Sequence, residues 1–252
     1  MALEKNLEGK FWKHVNRDPL EYYFFILDWK FNRKDTKILL GLEDDAIEGM
    51  MLVYKDRVAQ LRGSCEAIED LLKHLSLEKV DLMIPRGCED PVLRMYKRSK
   101  KYDLILMHLD KGKERLQERH EPVRPTVEDA EGIARVMRDT YPDFWGEETA
   151  ETVRESLQGN FWLAVKVDGE VVSVGNTFFA DFGSNIGVIA TDKGHRNGGY
   201  ATSIVSSLVR EIFLRHDKAL IHVMADNGPA VRVYQKVGFR PYNSYLLIKG
   251  KK

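Results

Sequence analysis

A glycine-rich turn between a strand and a long helix constrains this chain more than any other feature of its sequence. The turn lies within Ile189–Ala201, IATDKGHRNGGYA, and residues 184–191 form an apolar, strand-like run that leads into it. A helix is predicted from about Gly198 to Arg215, because apolar residues recur there at intervals of three and four positions. A strand that leads through glycines into an amphipathic helix indicates an α/β fold.

The segments around this turn continue the mixture of strands and helices. Thr126 is the predicted N-cap of one helix, and a second is expected over Glu147–Leu157. The other predicted elements are strands at 160–167, 170–180, 220–224 and 242–248 and a helix at 229–237 that Gly238 ends. We therefore expect an α/β (α+β mixed) protein.

The first half repeats part of this order, which predicts a duplication. Pro91–Tyr96 parallels Pro229–Tyr234, and Arg62–Ala67 parallels Arg196–Ala201. Chance could produce either match alone, but the two occur in the same order and beside the same kinds of element. The elements predicted here are strands at 37–42, 49–54, 58–61, 80–84 and 103–108 and helices at 65–75 and 91–99.

A polar stretch separates the two halves. Lys111–Glu121 lacks apolar periodicity and is followed by Pro122 and Pro125, as expected of a domain boundary. We predict two tandem domains, the first over residues 1–115 and the second over 122–252.

The composition argues against several classes of protein. Among 252 residues, 39 Lys and Arg balance 39 Asp and Glu, which disfavours nucleic acid as the main partner. The apolar runs are too short to span a bilayer, and the charged N-terminus is unlike a signal peptide, so no membrane partner is expected. The histidines and cysteines lack metal-ligand spacing, so no metal is expected. Cys65 and Cys88 are interpreted as small buried residues in a reducing cytosol, and the expected location is cytoplasmic.

The glycine turn has the features of an anion site. The first amides of a helix have no partners within the helix, and the helix dipole favours negative charge there. Glycines let a ligand approach those amides without a Cβ in the way, and Arg196 adds positive charge. A flexible surface loop is the alternative interpretation. The P-loop pattern is absent, and so is G-x-G-x-x-G after a strand.

Motifs of the second half resemble those of the GNAT superfamily of acyl-CoA-dependent N-acyltransferases. The glycine turn, Arg196–Ala201, fits the family's R/Q-x-x-G-x-G/A signature. The residues that resemble the family's opening and its second motif are Arg124, Pro125 and Asp129 for the former and Asn227–Ala230, Tyr234, Gly238 and Phe239 for the latter. The resemblance covers residues 122–252. Together with the duplication, it implies two tandem GNAT-like domains, each with a mostly antiparallel mixed sheet flanked by helices. A degenerate copy before an intact one is similar to the glycine N-acyltransferase-like branch.

The resemblance implies where coenzyme A binds. The strands at 184–191 and 220–224 would start side by side and splay apart, and the pantetheine arm would enter between them. Backbone groups of Ile189, Ala190 and Thr191 would bind that arm, and Asn227 would touch the cofactor near the splay. The amides that would hold the pyrophosphate belong to Arg196, Asn197, Gly198, Gly199, Tyr200 and Ala201.

The resemblance also implies direct attack of an amine on the thioester of acetyl-CoA. A backbone N–H near Ile189 is the expected oxyanion donor, and Tyr234 is expected to face the sulfur and give it a proton or a hydrogen bond. Without the resemblance, Tyr234 reads as a core aromatic residue. Many family members carry a glutamate on the strand before the turn, whereas 184–188 hold no carboxylate, which leaves Asp181 or His222 as open candidates for the base.

These features lead to an expected function. We expect an N-acetyltransferase that moves an acetyl or other short acyl group from coenzyme A to a primary amine of a small molecule or peptide. The missing carboxylate favours an α-amine or another amine of low pKa. The first domain, with Ser64 and Cys65 in place of two glycines, is expected not to bind coenzyme A. A monomer or homodimer is expected, and a non-catalytic acyl-CoA-binding sensor or scaffold is the alternative function.

Overall fold

The computed structural model describes all 252 residues, which form nine α-helices and ten strands. The helices are α1 Glu8–Val15, α2 Tyr23–Phe31, α3 Cys65–Leu72, α4 Asp90–Met95, α5 Ala130–Thr140, α6 Pro142–Trp145, α7 Ala150–Gly159, α8 Tyr200–Phe213 and α9 Gly228–Val237. The strands are β1 Thr36–Glu43, β2 Ala46–Tyr54, β3 Val58–Gly63, β4 Lys79–Pro85, β5 Arg98–Asp110, β6 Phe161–Val167, β7 Glu170–Ala180, β8 Gly183–Thr191, β9 Lys218–Met224 and β10 Arg240–Lys251. All ten predicted strands are present.

Several helix boundaries differ from the prediction, and two of them have a clear local cause. The helix predicted over 91–99 ends at Met95, because Tyr96 leaves the helical conformation and is buried with its hydroxyl bonded to the Leu77 carbonyl oxygen at 2.8 Å. The helix predicted from Glu147 begins instead at Ala150, because the Thr149 hydroxyl accepts the Thr152 N–H and so caps the helix there.

The two cysteines are paired, so the expectation of two small buried thiols is wrong. Cys65 and Cys88 form a disulfide with their Cα atoms 5.0 Å apart. Cys65 is exposed at the start of α3, and Cys88 is buried in the loop between β4 and α4. Their proximity depends on how α3 packs beside β4, which their spacing in the sequence does not reveal.

The chain folds into two compact units. The first contains Met1–Ile105, Met224–Asp226 and Asn243–Lys252, and the second contains Leu106–Val223 and Asn227–Tyr242. The last residues belong to the first unit because β10 pairs antiparallel with β4, from Tyr245 opposite Pro85 to Lys251 opposite Lys79. The units are thus not consecutive blocks, and the domain bounds 1–115 and 122–252 stay a prediction about the duplication.

In the first unit the strand order is β1-β2-β3-β4-β10. β1, β2 and β3 are antiparallel neighbours, whereas β3 and β4 are parallel and paired only from Val58 to Gln60 of β3. The core includes buried side chains of α3, β2 and β4. Phe11 of α1 and Tyr23 and Phe25 of α2 are also buried.

In the second unit the strand order is β5-β9-β8-β7-β6. Helices cover both faces of this sheet, because neighbouring residues of β7 point to opposite sides. Val174 packs in a cluster with α5 and α7, whereas a Cβ on Gly175 would lie 2.5 Å from Ile204 of α8. Glycine at 175 thus lets α8 pack closely against the sheet. None of the helices has the length and apolar character of a transmembrane span.

Both units share one arrangement of elements. Three antiparallel strands lead into a helix, α3 or α8, and the following strand pairs in parallel with the third strand over three residues. This repeat agrees with the tandem GNAT-like fold expected from the sequence and places the glycine turn at the start of α8.

Candidate active site

A cleft opens between β8 and β9 in the second unit, as the sequence predicts. The two parallel strands are paired only from Ser184 opposite Ala219 to Ile186 opposite Ile221. Beyond Ile186 the paired register ends, although β8 continues to Thr191. Backbone groups of β8 that face β9 in this region therefore have no strand partner on that side.

A β-bulge bends β8 at the point where the cleft begins. Gly187 and Val188 lie opposite the single residue Asn176 of β7. The buried Asn176 side chain accepts the Val188 N–H at 2.8 Å, and a Cβ on Gly187 would lie 2.7 Å from the same amide oxygen. Sequence reasoning missed Asn176, although a buried amide within an apolar strand was a visible signal.

After the bulge, two N–H groups of β8 point into the cleft. Asp192 donates its N–H to the Val172 carbonyl oxygen of β7 at 2.8 Å. Bonded and non-bonded pairs alternate in antiparallel sheets, so Ala190 also bonds toward β7, whereas the N–H groups of Ile189 and Thr191 point away from it. Of the three predicted pantetheine contacts, Ile189 and Thr191 present their N–H groups to the cleft and Ala190 does not.

Asp192 fixes the start of the glycine turn. Its carboxylate accepts the Gly194 N–H at 2.8 Å, lies 3.2 Å from Nδ1 of His195, and pairs with the Arg135 guanidinium at 3.3 Å. The hydrogen bonds from His195 and Gly194 hold the pKa of this carboxyl below its usual value. The negative charge of Asp192 is thus balanced by the Arg135 guanidinium.

The rest of the turn exposes a row of unpaired amides. The N–H groups of residues 196–202 donate to no other backbone group, and the first helical bond runs from Ser203 to the Gly199 carbonyl oxygen at 3.0 Å. Asn197 and Gly199 adopt left-handed conformations, with φ of 65° and 90°. Arg196 is exposed, and its Nε lies 3.5 Å from the Thr191 carbonyl oxygen. This row of donors fits a diphosphate, which offers several anionic oxygens.

A segment without regular secondary structure lies along α8 beside this turn. We call residues 117–120 the docked segment. The Ser203 hydroxyl accepts the N–H groups of both Arg119 and His120 at 3.1 Å, and the Ser206 hydroxyl accepts that of Gln117 at 3.0 Å. From the sequence we interpreted this stretch as part of a domain boundary, and its contacts to α8 were missed.

The predicted residues of the second motif are on α9. The Asn227 side chain accepts the Ala230 N–H at 3.2 Å and caps this helix, so its carboxamide oxygen already has a partner. Tyr234 is buried, and its ring lies edge-on to Phe239 with centroids 6.1 Å apart. Burial raises the pKa of the Tyr234 phenol well above its usual value. The hydroxyl therefore stays protonated at neutral pH.

The two candidates for the base occupy different environments. Asp181 is exposed in the turn between β7 and β8. His222 of β9 is half-buried just past the last paired residue, and its Nδ1 lies 3.3 Å from the Asn185 side-chain oxygen. Because an amide oxygen only accepts, Nδ1 carries the proton in this contact and the lone pair is on Nε2. His222 is thus the better placed of the two.

The corresponding turn of the first unit is closed by its own side chains. Ser64 accepts the Ala67 N–H at 3.2 Å and caps α3. Arg62, which aligns with Arg196, is buried in an ion pair with Glu21 and lies over the Tyr245 ring at 4.1 Å. Neither the first amides of α3 nor this arginine is arranged to receive a ligand.

One family of known proteins matches part of the chain. The FR47-like protein family matches residues 167–248, which include the cleft and the glycine turn. No curated protein matches the chain.

Solved structures with similar folds cover most of the chain. A Drosophila protein has a TM-score of 0.77 and 14% identity, covering 99% of this chain and 97% of its own. A GNAT-family acetyltransferase from Novosphingobium aromaticivorans has a TM-score of 0.60 and 16% identity, covering 80% and 88%. A tandem GNAT protein from the clavulanic acid biosynthesis pathway has a TM-score of 0.52 and 11% identity, covering 85% and 82%. The chain thus has a GNAT-like fold, and the FR47-like match lies across its glycine turn.

Proposed function

We propose that the chain is an N-acyltransferase that moves an acetyl or other short acyl group from coenzyme A to a primary amine of a small molecule or peptide. The observation that carries the proposal is the row of unpaired amides at residues 196–202, next to a cleft that opens between β8 and β9. If the diphosphate binds at the turn, the cleft is available for the pantetheine arm.

The residues of the cleft have chemistry suited to acyl transfer. A bound acyl-CoA supplies an activated carbonyl and a thiol leaving group. The Ile189 N–H, directed into the cleft by the bulge, is placed to donate to the carbonyl oxygen as negative charge develops there. Asn176 fixes the bulge and is therefore a positioning residue for this donor.

Tyr234 acts on the leaving sulfur in this proposal. Its raised pKa makes complete proton transfer to a thiolate unfavourable, so the phenol stabilises the sulfur by donating a hydrogen bond. His222 is the proposed base, acting through a water on the amine. A neutral imidazole suits an α-amine, about a tenth of which is uncharged at neutral pH, better than a lysine side chain, which is almost fully protonated.

The test measures thiol release from acetyl-CoA with a panel of amines, together with binding of coenzyme A by calorimetry. We expect binding to one site per chain, turnover with α-amines, and loss of turnover but not of binding in Tyr234→Phe. Binding without turnover for any amine would favour the sensor or scaffold. Undiminished binding in a folded variant that carries both Gly198→Glu and Gly199→Glu would refute the proposed site.

The cytoplasmic location stays a prediction. One of its supports was the expectation of unpaired thiols, and the disulfide between Cys65 and Cys88 removes it.

A further inference from the structure

Three serines of α8 are buried, which is unusual for polar residues on a helix that packs against a sheet. They are Ser203, Ser206 and Ser207. All three bond to the docked segment: the first two accept its backbone N–H groups, and Ser207 donates to the Glu118 carboxylate at 3.2 Å. These bonds hold residues 117–120 in one position along the helix.

The end of the docked segment reaches the glycine turn. The His120 ring stacks on the Tyr200 ring with centroids 3.9 Å apart and planes at 14°. Its Nε2 donates to the Gly198 carbonyl oxygen at 2.9 Å. Because His120 uses a carbonyl of the turn and not an amide, this contact leaves the N–H groups at 196–202 available.

Arg119 is the cation that this docking places beside the turn. A Cβ on Gly199 would lie 3.4 Å from Cδ of Arg119. The neighbouring Glu118 is already paired with Arg210, and Arg119 is exposed and forms no ion pair. The Arg119 side chain thus passes beside a row of unpaired amides, and a guanidinium in this region is a suitable ligand for phosphate oxygens.

We propose that the docked segment is the outer wall of the diphosphate site and that Arg119 binds a phosphate of the nucleotide thioester. This inference rests on the proposed function, since it assumes that the turn holds coenzyme A. It adds a ligand from outside the glycine signature, supplied by a segment that the sequence presents as a boundary.

The test compares Arg119→Gln with Arg98→Gln, which removes the same charge from an exposed position in the first unit. Dissociation constants are measured by calorimetry for coenzyme A and 3′-dephospho-coenzyme A and by NMR titration for pantetheine. We expect Arg119→Gln to weaken coenzyme A about tenfold, Arg119→Lys to restore part of the loss, and Arg98→Gln to have no effect. A loss that disappears with the dephospho compound assigns Arg119 to the 3′-phosphate, and a loss that persists assigns it to the diphosphate.

Two results would overturn the inference while leaving the proposed function intact. One is wild-type affinity for coenzyme A in Arg119→Gln, in a chain where glutamates at the glycine turn abolish binding. The other is an equal loss for pantetheine, which has no phosphate and would report a general distortion of the cleft. A wild-type chain that binds no coenzyme A would refute the proposed function itself, and this inference with it.

Discussion

Replacing Ser203 with alanine should release the docked segment from α8. The Ser203 hydroxyl is the acceptor for two backbone N–H groups, those of Arg119 and His120, each at 3.1 Å. Ser206 accepts only one, from Gln117 at 3.0 Å. The same substitution at these two positions of one helix should therefore have different effects on the docking equilibrium.

The magnitude follows from the number of bonds lost. A net contribution of about 1 kcal/mol per hydrogen bond gives about 2 kcal/mol for Ser203→Ala and about 1 kcal/mol for Ser206→Ala. The open population should then rise about 30-fold and about fivefold, respectively. Alanine is the better helix former by a few tenths of a kcal/mol, but α8 is helical in both the docked and the open state, so this difference does not enter.

Tryptic cleavage after Arg119 measures this opening directly. The rate of cleavage tracks the open population when reclosing is faster than cutting. Fragment masses identify the cut, and amide exchange of the segment gives a second readout. Equal rates in the two variants, or a rate like that of the wild type in Ser203→Ala, would show that these serine bonds do not hold the segment.

Three further predictions concern stability, its pH dependence and catalysis. Burial raises the pKa of Asp28 from 3.8 to about 6, so the free energy of unfolding should fall as the pH rises through 6. Asp28→Asn should therefore raise the free energy of unfolding in urea by up to about 3 kcal/mol near pH 8 but by little near pH 4. An equal increase at both pH values would contradict this cause. Reducing the disulfide between Cys65 and Cys88 should lower the free energy of unfolding by about 3 kcal/mol, measured in urea with and without reductant. Alkylation of thiols in the denatured chain without reductant would contradict the pairing. His222→Gln should lower kcat with α-amines and leave coenzyme A affinity unchanged; an unchanged kcat would exclude His222 as the base.

The elements of the second unit were predictable because local patterns specify them. The apolar residues of α8 recur every three or four positions, which predicts the helix. Gly199 precedes this helix and adopts a left-handed conformation, which glycine adopts readily. The first unit was harder. The run of aromatic residues at 22–25 has no helical periodicity, so the helix α2 could not be predicted from it.

Contacts between residues far apart in sequence account for what was missed. The docked segment is polar and has no periodic pattern, and its hydrogen-bond acceptors are more than 80 residues away on α8. Asn176 acquires its role only when β8 bulges opposite it. In each case a polar residue on one element is explained by an unpaired backbone group on another, and a reading of single segments does not bring the two together.

The N-cap position has opposite roles in the corresponding helices α3 and α8 of the two units. In the first, Ser64 supplies its own oxygen to an early amide of α3, and the half-buried Glu21 pairs with Arg62. Such a cap stabilises a helix by about 1 kcal/mol but occupies a donor that a ligand would need. In the second, Gly199 leaves the donors of α8 open and Arg196 remains in solvent. The first amides of a helix can be capped by a side chain, which stabilises the helix, or remain available to bind an anion. In a chain with two related units, one unit can have the capped form and the other the anion-binding form.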